Sequence, residues 1–270
     1  DNTPKTPYER SILNTGSNGR IAAVMKKAQA GENVILGVIG GSITVGTAAD
    51  PGKSYAELVR NWWTQKFPEA SFQYFNAGIG ATDSVYGAHR AQDDLLGKKP
   101  DFVIVEFSVN DRNGKHTQES YEELIRQILK SPATPGVLAL GICGRDGSTW
   151  QEKHQPICAN YALPFISFKN AYYEDIAGKT DPAVTLETVW ADADHPTNLG
   201  HQMLADLLIH YLESVYTSLD SPDEPVTELD SPVTANGYEN ARIFNNLTLH
   251  PTAMDGWKNN TDFAWGQGWA

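Results

Sequence analysis

Residues 33–46 read NVILGVIGGSITVG. The first seven form a short run that is apolar throughout after Asn33, with no polar–apolar alternation. That is the pattern of a strand buried on both faces, as in a parallel sheet. Gly40 and Gly41 end the run, and Ser42 follows at the place where such a strand would leave the sheet. Moving outward, four further runs share this character: 72–76 (FQYFN), 102–107 (FVIVEF), 137–143 (VLALGIC) and 163–167 (LPFIS). Between them lie stretches with helical spacing, at 54–67, 84–96, 119–130 and about 198–216. In the third of these, Ser120 followed by Glu123 predicts a capping box with Ser120 as N-cap. In the last, Leu204, Leu207, Leu208, Tyr211, Leu212 and Val215 recur at helical intervals. Strand–helix alternation predicts an α/β fold, a three-layer sandwich around a five-stranded parallel sheet. The site of such a fold lies outside the carboxyl ends of its strands.

The alternation stops near residue 219. Residues 220–232, DSPDEPVTELDSP, are rich in Pro, Asp, Glu and Ser and read as a linker. Residues 233–270 carry Trp257, Trp265 and Trp269 among many Asn and Gly and show no helical period; they read as the opening strands of a β-type module. The predicted division is therefore a main domain over 1–219, a linker over 220–232 and a β-type segment over 233–270.

The composition narrows the partners. The 270 residues are 40% hydrophobic and 20% charged, with a net charge of -12. An acidic chain argues against nucleic acid or an anionic membrane surface as partner, because those require a basic face. No stretch is long and apolar enough to span a bilayer. The opening DNTPKTPYER has no apolar signal region, which leaves cytoplasmic and secreted locations both open. The two cysteines, Cys143 and Cys158, do not make a disulfide framework, and no residues show metal-ligand spacing, so neither a metal nor another cofactor is expected.

Three strand ends carry groups suited to acyl transfer. At the first, two glycines present Ser42, and a helix beginning there would add partial positive charge. A serine nucleophile needs such donors for the carbonyl oxygen that becomes negative. At the second, Asn76-Ala77-Gly78-Ile79-Gly80-Ala81-Thr82 is a glycine-rich loop with amides to spare. At the third, Asn110 in Ser108-Val109-Asn110-Asp111 offers a carboxamide donor. Each is also ordinary turn chemistry when taken alone. A fourth segment, Trp190-Ala-Asp-Ala-Asp-His-Pro, places Asp192 and Asp194 close before His195. Either carboxylate can orient the imidazole so that its other nitrogen takes a proton from serine, and the residues alone leave that choice near even.

These segments together resemble the SGNH/GDSL hydrolase superfamily over about the first 215 positions. The usual Gly-Asp-Ser-Leu block is similar to Gly40-Gly41-Ser42-Ile43, the second block to 76–82, the Gly-x-Asn-Asp block to Ser108-Val109-Asn110-Asp111, and the Asp-x-x-His-Pro block to Asp192-Ala-Asp-His195-Pro196. The resemblance implies a flavodoxin-like sheet, Ser42 as nucleophile, His195 as base and Asp192 as its orienting acid. It implies an oxyanion hole made by the Ser42 amide, the Asn110 side chain and a backbone amide that an ungapped match puts on Ala81, with Gly80 just before it. Gly41 stands where the family usually has Asp, and Ser108 where it has Gly. The variant second block, Tyr86-Gly87 and Val105-Glu106-Phe107 are similar to the carbohydrate acetylesterase branches, in which a carbohydrate-binding module can follow. The expected substrate is thus an acetylated oligo- or polysaccharide of plant type, mannan or xylan. A thioesterase or lysophospholipase-like enzyme, an acetyltransferase and a non-catalytic glycan-binding protein are the alternatives.

Overall fold

The computed structural model describes residues 4–179, 181–235 and 237–244, together with 252, 253, 255, 259, 260, 268 and 269. Its main sheet contains β1 (Ile12–Asn14), β2 (Asn33–Gly40), β3 (Ser71–Gly78), β4 (Phe102–Glu106), β5 (Gly136–Gly141) and β6 (Phe165–Ser167). The order across the sheet is β1-β6-β5-β4-β2-β3. Strands β2 to β6 are mutually parallel, each at one of the five apolar runs. A sixth strand, β1, joins the β6 edge in antiparallel sense. It is three residues long and contains Asn14, so it has too few apolar positions to show a period. Counted along the chain, the parallel strands follow the 2-1-3-4-5 order of flavodoxin-like folds, and the winding reverses between β2 and β4.

The helices are α1 (Pro7–Ser11), α2 (Gly19–Gln29), α3 (Ser42–Val45), α4 (Tyr55–Lys66), α5 (Ser84–Asp94), α6 (Thr117–Leu129), α7 (Gln151–Asn160), α8 (Glu174–Ala177), α9 (Leu186–Val189) and α10 (Asn198–Thr217). They cover both faces of the sheet, because successive residues of a strand point to opposite sides. In β4, Phe102 and Ile104 join the core built with Met25 of α2, Trp63 of α4 and Leu208 of α10. Val103 and Val105 join the second core, with Ala91 of α5, Ile125 of α6 and Ile157 of α7. Gly37, in the middle of β2, marks a close approach: a Cβ there would lie 2.5 Å from Leu95 Cδ1.

The one capping expectation, at Ser120, fails, and a capping box that was not expected stands at Ser54. Ser54 caps α4 and forms a capping box with Glu57, as its position at the start of 54–67 allows. Ser120 does not cap α6. That helix starts a turn earlier, at Thr117, with His116 as its N-cap and no side-chain cap. The Thr117 hydroxyl donates to Asp111 O at 2.9 Å and so anchors the earlier turn. Ser120 Oγ lies 2.7 Å from Ser84 Oγ instead, which ties α5 to α6.

The acidic segment after α10 lies along the domain. Asp223 Oδ2 accepts from the Asn18 amide at 2.9 Å, and Arg20 donates to Val226 O at 2.7 Å. Further on, Glu122 of α6 accepts from the Val233 and Thr234 amides at 2.8 and 2.7 Å. Of the β-type segment expected over 233–270, Asn259–Asn260 (β7) and Gly268–Trp269 (β8) pair in antiparallel sense, while Trp257 and Trp265 lie outside the described residues.

Candidate active site

Strand β2 delivers Ser42 directly. Gly41 is extended, Ser42 is the first residue of α3, and the helix ends after one turn at Gly46, whose φ of +98° lies in the left-handed region that favours glycine. The Ser42 carbonyl accepts from the Gly46 and Thr47 amides at 3.2 and 3.0 Å. The Val45 amide donates to Gly41 O at 3.1 Å, and the amides ahead of it have no carbonyl behind them within the helix.

The second segment comes from the loop before α10. Trp190 is buried, its indole donates to Cys143 O at 3.2 Å, and it bridges to Pro196 across the loop. This closes residues 191–195 into a turn, with the Ala191 amide donating to His195 O at 2.8 Å. Inside the turn, Asp192 Oδ1 accepts from the amides of Asp194 and His195 at 2.9 and 2.8 Å. Asp192 Oδ2 stands 2.7 Å from His195 Nδ1, and His195 Nε2 stands 2.8 Å from Ser42 Oγ. With Nδ1 protonated toward the carboxylate, Nε2 is left to accept the serine proton.

Of the two carboxylates, these contacts put Asp192 beside the imidazole. Asp194 turns away from the imidazole and pairs with Arg112 at 2.7 Å. Burial pushes the Asp192 carboxyl up, but the His195 hydrogen bond and the amides of Asp194 and His195 outweigh it and hold the group at about 2. Asp192 is therefore a carboxylate near neutral pH.

The other predicted residues converge on the same strand ends. Asn110 opens a short 3-10 turn after β4, and a Cβ on Gly41 would lie 2.3 Å from its Oδ1. The carboxamide thus fills the space that a side chain at position 41 would need. A Cβ on Gly80 would meet Ser42 Cβ at 3.9 Å, so the Gly80 backbone faces the serine. Ala81 adopts φ +58°, a left-handed conformation that carries a cost for a non-glycine residue.

Four supporting residues take roles that the sequence does not show. Glu106 ends β4 fully buried; its Oε2 lies 3.5 Å from Thr44 Oγ1, which in turn lies 2.8 Å from the Tyr55 hydroxyl. Burial, and then the nearby Asp111, push the Glu106 carboxyl up to about 8 against the downward pull of the Ser108 amide, the Thr44 hydroxyl and the Val109 amide. Asn76 Nδ2 donates to Thr44 O at 2.8 Å and fastens α3 to β3. Arg90 of α5 is 2% exposed and donates to Ala77 O at 2.7 Å and Gly40 O at 3.1 Å, clamping two strand ends. His201 accepts from the Tyr55 amide at 3.2 Å and faces Thr47 O at 3.4 Å. Burial lowers it to about 4, so it holds the chain just after the nucleophile as a neutral ring.

Among the described residues, no group of three His, Cys, Asp or Glu side chains is placed to hold a metal ion. The arrangement as it stands can pass a proton from the Ser42 hydroxyl to His195.

The comparisons agree with the fold. The GDSL-like lipase/acylhydrolase family matches residues 38–203, which run from the end of β2 to the start of α10. A two-domain esterase (CEX) active on acetylated mannans, co-crystallised with mannopentaose, is 34% identical, with a TM-score of 0.88 over 98% of this chain and 72% of that one. The same esterase in a second crystal structure gives 33% identity and a TM-score of 0.87. An acetylxylan esterase (Axe2) from Geobacillus stearothermophilus shares the fold at 19% identity, with a TM-score of 0.55 over 66% of this chain and 94% of that one. No curated protein matches the sequence.

Proposed function

The chain belongs to the GDSL-like lipase/acylhydrolase family, and from that premise we propose that it is a serine esterase removing O-acetyl groups from a plant-type glycan, acetylated mannan or xylan. The observation that carries this reading is the continuous relay from Asp192 Oδ2 to His195 at 2.7 Å and from His195 to Ser42 Oγ at 2.8 Å. The likeness to an esterase active on acetylated mannans supports the substrate class.

In the proposed mechanism, His195 Nε2 takes the Ser42 proton as Oγ attacks the acetyl carbonyl carbon. The carbonyl oxygen becomes an oxyanion held by the Ser42 amide, the Gly80–Ala81 backbone and the Asn110 carboxamide. The C–O bond to the sugar breaks, and the sugar oxygen leaves with the proton from His195. Water then gives a proton to the same nitrogen, attacks the acetyl-serine and releases acetate and free Ser42. Asp192 stays ionised throughout and stabilises the imidazolium. Within the same proposal, residues 233–270 belong to a β-type, carbohydrate-binding part of the protein, a reading in keeping with the two-domain build of the mannan esterase.

Acetate release from acetylated mannan and acetylated xylan, with Ser42→Ala run beside the parent, tests the reading. Release that vanishes in the variant is the expected result, and the better polymer identifies the glycan. Ser42-dependent cleavage of a small activated acetate with no release from either polymer would remove the glycan assignment and keep the esterase. Faster turnover of long acyl chains than of acetate would favour a lysophospholipase-like enzyme instead.

A further inference from the structure

Between the loop that carries Asp192 and His195 and the turn that carries Asn110 lies an open cavity of about 350 Å³, lined by Arg112, Arg145, Asp146, Leu186, Ala193 and Asp194. That volume is at the lower end of the range of about 300–1,000 Å³ for small-molecule sites. Its position is tied to the triad through the chain. Ala193 and Asp194 are the two residues between Asp192 and His195, and Arg112 follows Asn110 by two. The walls are also tied to one another: Arg112 donates to Asp194 at 2.7 Å, and the Arg145 amide donates to Ala193 O at 2.8 Å. Arg145 reaches Glu187 with its guanidinium, and Asp146 accepts from the Ser148 amide at 2.9 Å.

Two features of this lining select a ligand class. The charges balance, with two arginines facing two aspartates, so the cavity has no net attraction for an anion or a cation. The polar groups are nevertheless of both kinds: guanidinium N–H groups donate and carboxylate oxygens accept, as the hydroxyls of a neutral polyol require. Leu186 adds an apolar patch of the sort that lies against the C–H face of a sugar ring. Neither Ser42 nor His195 lines the cavity, so its occupant lies beside the reacting ester and not on it.

We propose that this cavity is a subsite for a neutral sugar ring adjoining the acetylated ring, with Arg145, Asp146 and Asp194 as hydroxyl partners and Leu186 as the apolar wall. This rests on the glycan esterase reading above and places one substrate contact beyond the triad. A sugar seated there would align the ester at Ser42 through chain connectivity, which raises effective concentration at the reaction centre.

The test is calorimetric titration of the full chain with unacetylated mannotetraose and xylotetraose, which need no turnover, for the parent, Arg145→Ala and Leu186→Trp. The first substitution removes donors and the second fills the space. Weakening of the preferred tetraose by about tenfold or more in both variants is expected, with thermal midpoints near that of the parent. Binding within twofold of the parent in both variants overturns the proposal, as does a parent that binds neither tetraose. Ser42-dependent cleavage of a small activated acetate, read on the same samples, separates those failures from failure of the esterase reading.

Discussion

The loop that carries Asp192 and His195 and the floor that carries Glu106 beneath Ser42 are built by opposite means. The loop is local and wet. Its acid and base lie three residues apart, the Asp192 side chain is 55% exposed, and the carboxylate is held low by donors from its own turn. The floor is long-range and dry. Glu106 faces Gly40 across the β2–β4 register, meets Thr44 from α3, and is pushed up by burial. One carboxyl stays charged because the turn around it supplies hydrogen bonds to the charge. The other holds its proton because the core around it supplies too few. The contrast teaches that one site can place a charge where chemistry needs it and exclude a charge where packing needs neutrality, using the same functional group.

The loop side of this comparison breaks first under substitution. Asp192→Asn leaves the turn in place but removes the anion that fixes the imidazole, and kcat should fall by about 10³–10⁴, measured on a small activated acetate. Retention of more than a tenth of parent activity would mean that another carboxylate orients His195. On the floor side, Asn110→Ala removes one oxyanion donor, and kcat should fall by about 10²–10³. Full activity in that variant would take Asn110 out of the mechanism. Gly41→Ala should act through the same residue, since its Cβ would lie 2.3 Å from Asn110 Oδ1. A loss of roughly tenfold in kcat, smaller than that of Asn110→Ala, is expected from displacement rather than deletion of the donor.

The smallest effect sharpens the electrostatic half of the comparison. The unfolded chain ionises Glu106 near its ordinary value of 4.5, and the folded chain keeps the proton to about 8. The stability contributed by this group is therefore full below about 4.5 and lost as pH rises from there to about 8. Glu106→Gln, neutral at every pH, should show a shallower decline over that window in urea unfolding, by an amount on the order of a few kcal/mol at most. Parallel stability–pH curves for parent and variant would contradict a proton-bearing Glu106. Asp192 runs the other way: its contribution is present above its ordinary value of 3.8 and lost as pH falls toward about 2.

The same contrast explains what could be read from the amino-acid order. The Asp192–His195 pair was legible because a turn of four residues encodes its own geometry, and the five parallel strands because each is a continuous apolar run. Choosing Asp192 over Asp194 required the resemblance, since the turn that brings Asp192 to His195 and the Arg112 partner of Asp194 exist only in the fold. Glu106, Arg90 and His201 escaped because their roles depend on which strand ends and loops the register brings beside them; a buried arginine among Gly87, Ala88 and Ala91 looks like any helical arginine until Gly40 and Ala77 are placed over it. The early start of α6 escaped for a similar reason, its anchor being the Asp111 carbonyl and not a capping side chain.

The central claim is that Ser42 is the nucleophile activated by His195, and covalent labelling tests it most directly. The parent would be treated with a fluorophosphonate, and the modified peptide mapped by mass spectrometry. The account predicts a single adduct on Ser42, formed at a rate that falls by several orders of magnitude in His195→Ala. An adduct on another residue, or esterase turnover that persists while Ser42 is fully blocked, would contradict it.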